Sequence, residues 1–191
     1  ASKLDTVALV TGDGDYVHIT SNNTIYGTQM KKFPISRIPV VADMSSDIFS
    51  RKLDCKQFDL IYAGAQKNMG PAGATLVVVK ESILGKTGRT IPSMRDYKVH
   101  IKGDSMYNTP PVFPIYVSLL TMRWLKKNGG IDWIEKVNNQ KANSLYTEID
   151  RNSMFVGTVA KDSRSNMNVT FLLNKPELEP EFDKIAKEAS L

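Results

Sequence analysis

Hydrophobic and polar positions follow two rhythms along this chain. In the first part, short apolar runs end abruptly in polar residues: Ile38-Pro-Val-Val-Ala42 gives way to Asp43-Met-Ser-Ser46, and Asp59-Leu-Ile-Tyr-Ala63 to Gly64-Ala-Gln-Lys67. Each reads as a buried strand that delivers its polar end to one edge of a sheet. Ala74-Thr-Leu-Val-Val-Val79 has the β-branched density of a central strand. Ile48 to Leu53 is too short and too mixed to predict a helix, and Gly85 to Lys102 reads as loop. After the break at Pro110-Pro111 the period lengthens. Phe113, Tyr116, Val117, Leu120 and Trp124 recur at steps of three and four, which predicts a helix over 112–127 with a stop at Asn128-Gly-Gly130. A second amphipathic helix is predicted over 131–149 with Ile134, Val137 and Leu145 inward. Phe155 to Val159 and Met167 to Leu173 read as strands, and Glu179 to Ala189 as a last helix. Strand runs alternating with longer periodic stretches predict an α/β architecture of parallel strands and covering helices. A boundary is expected near Glu135, separating a large part, 1–135, from a small α+β unit, 136–191.

Composition narrows the classes. With 191 residues, 41% hydrophobic and 24% charged, the chain has ordinary globular make-up. No apolar run approaches the roughly 18 residues of a membrane span, so no membrane association is expected. The start, Ala1-Ser-Lys-Leu-Asp5, lacks the apolar stretch of a secretory signal, and the expected compartment is the cytoplasm. One cysteine, Cys55, and two histidines rule out an internal disulfide and a cysteine-rich zinc site; no metal is expected. Cys55 is read as inert, His18 as a hydrogen-bonded structural residue, and Trp124 and Trp133 as core. The net charge of +5 suits small anions as well as nucleic acid. Its cations are spread among acids without interleaved aromatics, so no nucleic-acid partner is expected. A basic binding module, with Lys98, His100 and Lys102 in one loop, is the alternative from another class.

The candidate chemistry rests on Asp43 and Lys67, each just past the carboxyl end of a predicted strand, where open α/β sheets bind ligands. A lysine there can form a Schiff base with a carbonyl cofactor, and a carboxylate can keep a pyridine nitrogen protonated. That pair is the chemical minimum for pyridoxal 5'-phosphate. Gly64, Gly70 and Gly73 around Lys67 would let the backbone pass close to a ring or phosphate. The plain alternative is a solvated lysine in a glycine-rich turn and an aspartate capping a helix.

Particular residues favour the first reading. Ala63-Gly-Ala-Gln-Lys-Asn-Met-Gly-Pro-Ala-Gly73 resembles the cofactor-lysine segment of the phosphoserine aminotransferase family, one of the fold-type I, class V pyridoxal-phosphate aminotransferases. Ser21-Asn-Asn-Thr-Ile-Tyr-Gly27, Val41-Ala-Asp-Met-Ser-Ser46, Met106-Tyr-Asn-Thr-Pro-Pro111 and Arg164-Ser-Asn-Met-Asn-Val169 resemble further segments of that family in the same order. The resemblance runs from Tyr16 onward. It implies an aspartate-aminotransferase-like large domain with a mainly parallel sheet, plus part of a small α+β C-terminal domain. It also implies that Lys67 bonds the cofactor and shuttles the substrate α-proton, that Asp43 pairs with the pyridinium nitrogen, that Thr24 donates near the phenolic oxygen, and that Gln66 donates to the phosphate. Asn108 and Thr109 would reach the phosphate of the cofactor in the neighbouring subunit, so the resemblance implies a homodimer with shared active sites. The implied reaction exchanges an amino group between glutamate and 3-phosphohydroxypyruvate, giving 2-oxoglutarate and phosphoserine for serine biosynthesis. Another pyridoxal-phosphate enzyme of the same fold, such as a cysteine desulfurase or a different transaminase, and a non-catalytic relative that only dimerises, remain alternatives.

Some of the family's segments have no counterpart here. Upstream these are the ring-stacking aromatic residue, the main phosphate-cradling turn and a substrate-binding arginine; downstream, a His-Arg and a Gly-Gly-x-Arg segment. The chain is therefore expected to be an internal fragment with weak cofactor affinity and little turnover by itself, and Ala1 to Asp15 matches the family poorly.

Overall fold

The computed structural model describes residues 9, 10 and 13–190. Expectations for the first eight residues, for residues 11 and 12 and for Leu191 lie outside the described residues.

The chain opens with short strands β1 (Leu9–Val10), β2 (Val17–Thr20), β3 (Asn22–Asn23), β4 (Thr28–Gln29) and β5 (Ile35–Ser36), followed by β6 (Val40–Asp43), β7 (Leu60–Gly64) and β8 (Thr75–Val79). The principal sheet has the order β2-β6-β7-β8. β2 and β6 run parallel with Thr20 opposite Asp43, and β6 and β7 run parallel with Asp43 opposite Tyr62. β8 returns antiparallel to β7, pairing Gly64 with Thr75. The run 74–79 is thus an edge strand among the described residues, not a central one. β-branched residues fit any pleated, half-buried surface, so their density does not fix a position in the sheet.

Strict alternation sorts the two faces. Ile19, Val40, Ala42, Ile61 and Ala63 point to one side and form the core with Met44, Ile48, Phe58 and Met69. His18, Asp43 and Tyr62 stand on the other side. Helices were expected to join the parallel strands, but the β6–β7 connection is a series of turns ending in a 3₁₀ turn, Cys55–Gln57. Its polar side chains satisfy its backbone locally. Ser50 Oγ donates to Asp47 O at 2.6 Å, and Asp54 Oδ1 accepts from Lys56 N at 3.0 Å. Such bonds compete with a helical ladder.

Helix α1 (Tyr97–Lys102) is capped by Asp96, whose side chain accepts from Lys98 N. Lys98, His100 and Lys102 therefore lie on a helix rather than in a loop. α2 (Val112–Lys127) has the predicted limits, ending at Asn128. Its buried positions are Ser118 and Leu125, whereas Phe113, 69% exposed, and Tyr116, Leu120 and Trp124 face outward. Trp124 packs edge-to-face on Trp133 at 5.3 Å between centroids instead of entering the core. α3 (Gly130–Arg151) buries Ala142, Tyr146 and Ile149. Leu145, expected inward, is 54% exposed. Two neighbouring stripes on one helix satisfy nearly the same period, and only the packing partner selects between them.

Beyond α3, β9 (Phe155–Gly157) pairs antiparallel with β10 (Phe171–Leu173), and α4 (Glu179–Glu188) closes the described chain. The strand expected over 167–173 is confined to its last three residues; before it Asn168 N donates to Ser165 Oγ and Asn168 Oδ1 accepts from Asn22 Nδ2, which takes this stretch out of the ladder. A second buried cluster, Ala142, Tyr146 and Ile149 with Phe155 and Val169 against it, serves this end.

Candidate active site

The carboxyl ends of β6 and β7 are tied together. Asp43 is half-buried, and its Oδ1 accepts from Ser45 N at 2.8 Å. Ser45 Oγ in turn accepts from Gly64 N at 3.1 Å. Past Gly64 the chain makes one helical turn, with Met69 N and Gly70 N donating to Ala65 O at 3.2 and 2.8 Å. Ala65 and Met69 are buried beneath this turn, which leaves Gln66 and Lys67 exposed on its outer side. The loop is then shut by Ala65 N donating to Ala74 O at 3.0 Å. Gly70 meets α2 so closely that a Cβ there would lie 2.9 Å from Ser118 Oγ.

Lys67 Nζ donates to Thr24 Oγ1 at 2.9 Å. Thr24 lies in the exposed turn between β3 and β4, and that turn is anchored by a buried polar knot. Asn22 Nδ2 donates to Ser46 Oγ at 2.9 Å and to Asn168 Oδ1 at 2.8 Å, and Asn22 Oδ1 accepts from Ser165 Oγ at 2.5 Å. Asp47, fully buried, accepts from Ser21 Oγ, from Gln29 Nε2 at 3.2 Å and from Arg51 at 3.2 Å. Gly27 lets the turn close at φ 65°. The stretches 21–30, 43–51 and 163–170 are thereby knitted together by side chains that bury poorly unless every polar atom is matched.

Of the residues singled out in the sequence, Lys67 and Thr24 are in direct contact, and Asp43 and Lys67 belong to the same end of adjacent strands. The Gln66 amide folds back over Gly64, where a Cβ would meet its Oε1 at 2.4 Å. Asn108 and Thr109 lie elsewhere, in an exposed turn before α2. Asn108 Nδ2 donates to Thr109 O at 3.2 Å, and no hydrogen bond joins either residue to Lys67, Thr24 or Asp43 among the described residues.

Two residues at this end had been given no part in the site. Tyr62 OH and His18 Nε2 are 3.0 Å apart. Burial first, then the charge of Asp43 and a hydrogen bond to it, push the Tyr62 phenol above its ordinary range. The two-residue period of β7 carries this signal, since in a parallel sheet it turns Tyr62 to the side on which Asp43 stands. Among the described residues no group of histidine, cysteine, aspartate and glutamate is arranged to hold a metal ion, and no helix is long and apolar enough to cross a membrane.

A mainly parallel sheet with an aspartate at one strand end and a glycine-flanked lysine on the next loop is an α/β arrangement, and its fold is that of the type I aminotransferases. The chain belongs to the aminotransferase class-V family, whose model matches residues 3–182. It is similar to a phosphoserine aminotransferase of Flavobacterium psychrophilum, with 68% identity over 182 residues covering 95% of this chain and 51% of that protein. It is also similar to the solved phosphoserine aminotransferase of Bacillus circulans subsp. alkalophilus, with a TM-score of 0.89 and 43% identity over 94% of this chain and 50% of that one. A third likeness is to the pyridoxal-phosphate-bound phosphoserine aminotransferase of Trichomonas vaginalis, with a TM-score of 0.88 and 30% identity over 94% of this chain and 52% of that one. The chain spans about half the length of the curated relatives it matches.

Proposed function

We propose that this chain carries the cofactor-lysine half of a pyridoxal-phosphate aminotransferase that exchanges an amino group between glutamate and 3-phosphohydroxypyruvate, producing O-phospho-L-serine and 2-oxoglutarate in serine biosynthesis. The observation that carries this reading is the exposed Lys67 amine 2.9 Å from Thr24 Oγ1, on the loop that follows the strand next to Asp43. The donor set fits the cofactor: an accessible amine for an aldehyde, a hydroxyl beside it, and a carboxylate with one oxygen engaged by Ser45 N and lone pairs left for a ring N–H.

When bound, pyridoxal phosphate supplies an aldehyde carbon for amines and a protonated ring that takes up the electron pair left by a departing proton. The protein's share is placement. Lys67 Nζ is the base that takes the substrate α-proton and returns it, and the Thr24 hydroxyl keeps that amine at the loop surface. Asp43 is the partner of the ring nitrogen, and Gln66 a donor to the phosphate. Asn108 and Thr109 serve the site of a second copy of the chain in a homodimer. Support for that partner comes from Phe113, Tyr116 and Leu120, exposed on α2 directly after the Asn108-Thr-Pro-Pro111 turn. That turn also favours this reaction over that of a cysteine desulfurase. We place the protein in the cytoplasm, and we keep the division at 135/136, which the two separate buried clusters support although α3 runs through Glu135 without a break.

The test is borohydride reduction of the protein mixed with pyridoxal phosphate, followed by peptide mapping. Label at Lys67 that disappears in Lys67→Ala is the expected result. Label scattered over surface lysines would overturn the reading.

A further inference from the structure

The half-exposed face of the sheet holds a chain of three polar side chains, Asp43, Tyr62 and His18, of which the proposed reaction uses only Asp43. Asp43 and Tyr62 sit directly opposite each other in the β6–β7 register, and Thr20 pairs with Asp43 from the other side, two residues along β2 from His18. His18 Nε2 is 3.0 Å from Tyr62 OH, with the rings 6.0 Å apart and inclined by 31°. Asp43 stands directly beside Tyr62 in the register, and its charge adds to burial in raising the phenol.

Donation from Tyr62 to Asp43 fixes where the other protons of the chain lie. A phenol has a single hydrogen, and an ionised carboxylate only accepts. If Tyr62 gives its hydrogen to Asp43, His18 must supply the hydrogen for the 3.0 Å contact from Nε2. We infer that Tyr62, oriented by His18, is a positioning residue that fixes the Asp43 carboxylate for the cofactor ring nitrogen, an inference that rests on the reading proposed above. Ser45 N already holds Oδ1 at 2.8 Å. A second donor on the carboxylate stops its rotation about χ2, a torsion that is otherwise broad, and so keeps its remaining lone pairs aimed.

Three variants of the full-length protein test this: Tyr62→Phe, which keeps the ring; His18→Leu, which removes the donor; and His18→Gln, which restores an N–H. The readouts are the dissociation constant for pyridoxal phosphate and the absorption spectrum of the bound cofactor. Loss of one hydrogen bond to a charged group corresponds to about a tenfold change in affinity. We expect that loss and a displaced absorption band in Tyr62→Phe and His18→Leu, with His18→Gln within about threefold of the parent. In the cofactor-free protein, nitrogen NMR should show His18 protonated at Nε2, a reading that a purely structural tyrosine would not require. The inference is overturned by a parent-like affinity and spectrum in Tyr62→Phe, or by a bare Nε2. Its failure is separable from that of the function: a parent labelled at Lys67 with indifferent variants removes only the positioning role, whereas a parent not labelled at Lys67 removes both.

Discussion

Replacing Asn22 by alanine attacks the knot that holds Thr24 against Lys67. Asn22 is 2% exposed, and its amide makes three hydrogen bonds, to Ser46, Asn168 and Ser165. The Ser165 hydroxyl suffers most. It is fully buried, its oxygen already accepts from Met167 N and Asn168 N at 3.0 Å each, and Asn22 Oδ1 is the acceptor of its hydrogen. An orphaned buried donor costs about 1–3 kcal/mol, and each of the two other bonds lost costs about 0.5–1.5 kcal/mol, which puts Asn22→Ala between about 2 and 6 kcal/mol, near 4 in the middle of that range. Asn22→Asp is expected to do at least as much harm, because it turns an acceptor toward Asn168 Oδ1 in place of a donor. Asn23→Ala is the control: Asn23 Oδ1 accepts a single exposed bond from Tyr26 N at 3.1 Å, so the change should cost less than about 1 kcal/mol. Urea unfolding of the parent and the variants, compared at constant m, reads the difference. If Asn22→Ala unfolds within about 0.5 kcal/mol of the parent, the knot does not hold the turn, and the Lys67–Thr24 contact needs another explanation.

Two further outcomes follow from single observations. The Arg164 hydrogen bond, and after it that of Lys161, holds the Asp150 carboxyl down to about 2 from an ordinary 3.8. Because the folded value is depressed, the contribution is whole above 3.8 and is lost as pH falls toward 2. Asp150→Asn should therefore flatten the fall of the thermal midpoint across that interval, and an unchanged slope would show that this pairing is not responsible. Gly27→Ala places a Cβ at φ 65° and 2.3 Å from Thr170 Oγ1, which should cost roughly 2 kcal/mol or more by calorimetry; a neutral result would mean that the turn is free to move.

Sequence alone determined a good deal. The polar ends of 38–43 and 59–67 put Asp43 and Lys67 at strand ends because an apolar run must stop where the sheet meets solvent. The limits of α2 were set by Pro110-Pro111 and by Asn128-Gly129, which are local chemistry. Segments resembling the cofactor-lysine family pointed to the class before any contact was known. Which stripe of a helix is buried was not decided there: α2 presents Phe113, Tyr116, Leu120 and Trp124 outward, and α3 turns Leu145 out and Tyr146 in, because burial depends on what the helix meets. The antiparallel return of 74–79 along β7 likewise came from the closing of the lysine loop. Tertiary structure also decided the polar contacts between distant segments. Asn22 reaches Asn168, Asp47 reaches Ser21, and Tyr62 lies between His18 and Asp43. A hydrogen bond needs a donor and an acceptor within about 3 Å, and no period along a chain records which distant residues the fold brings that close.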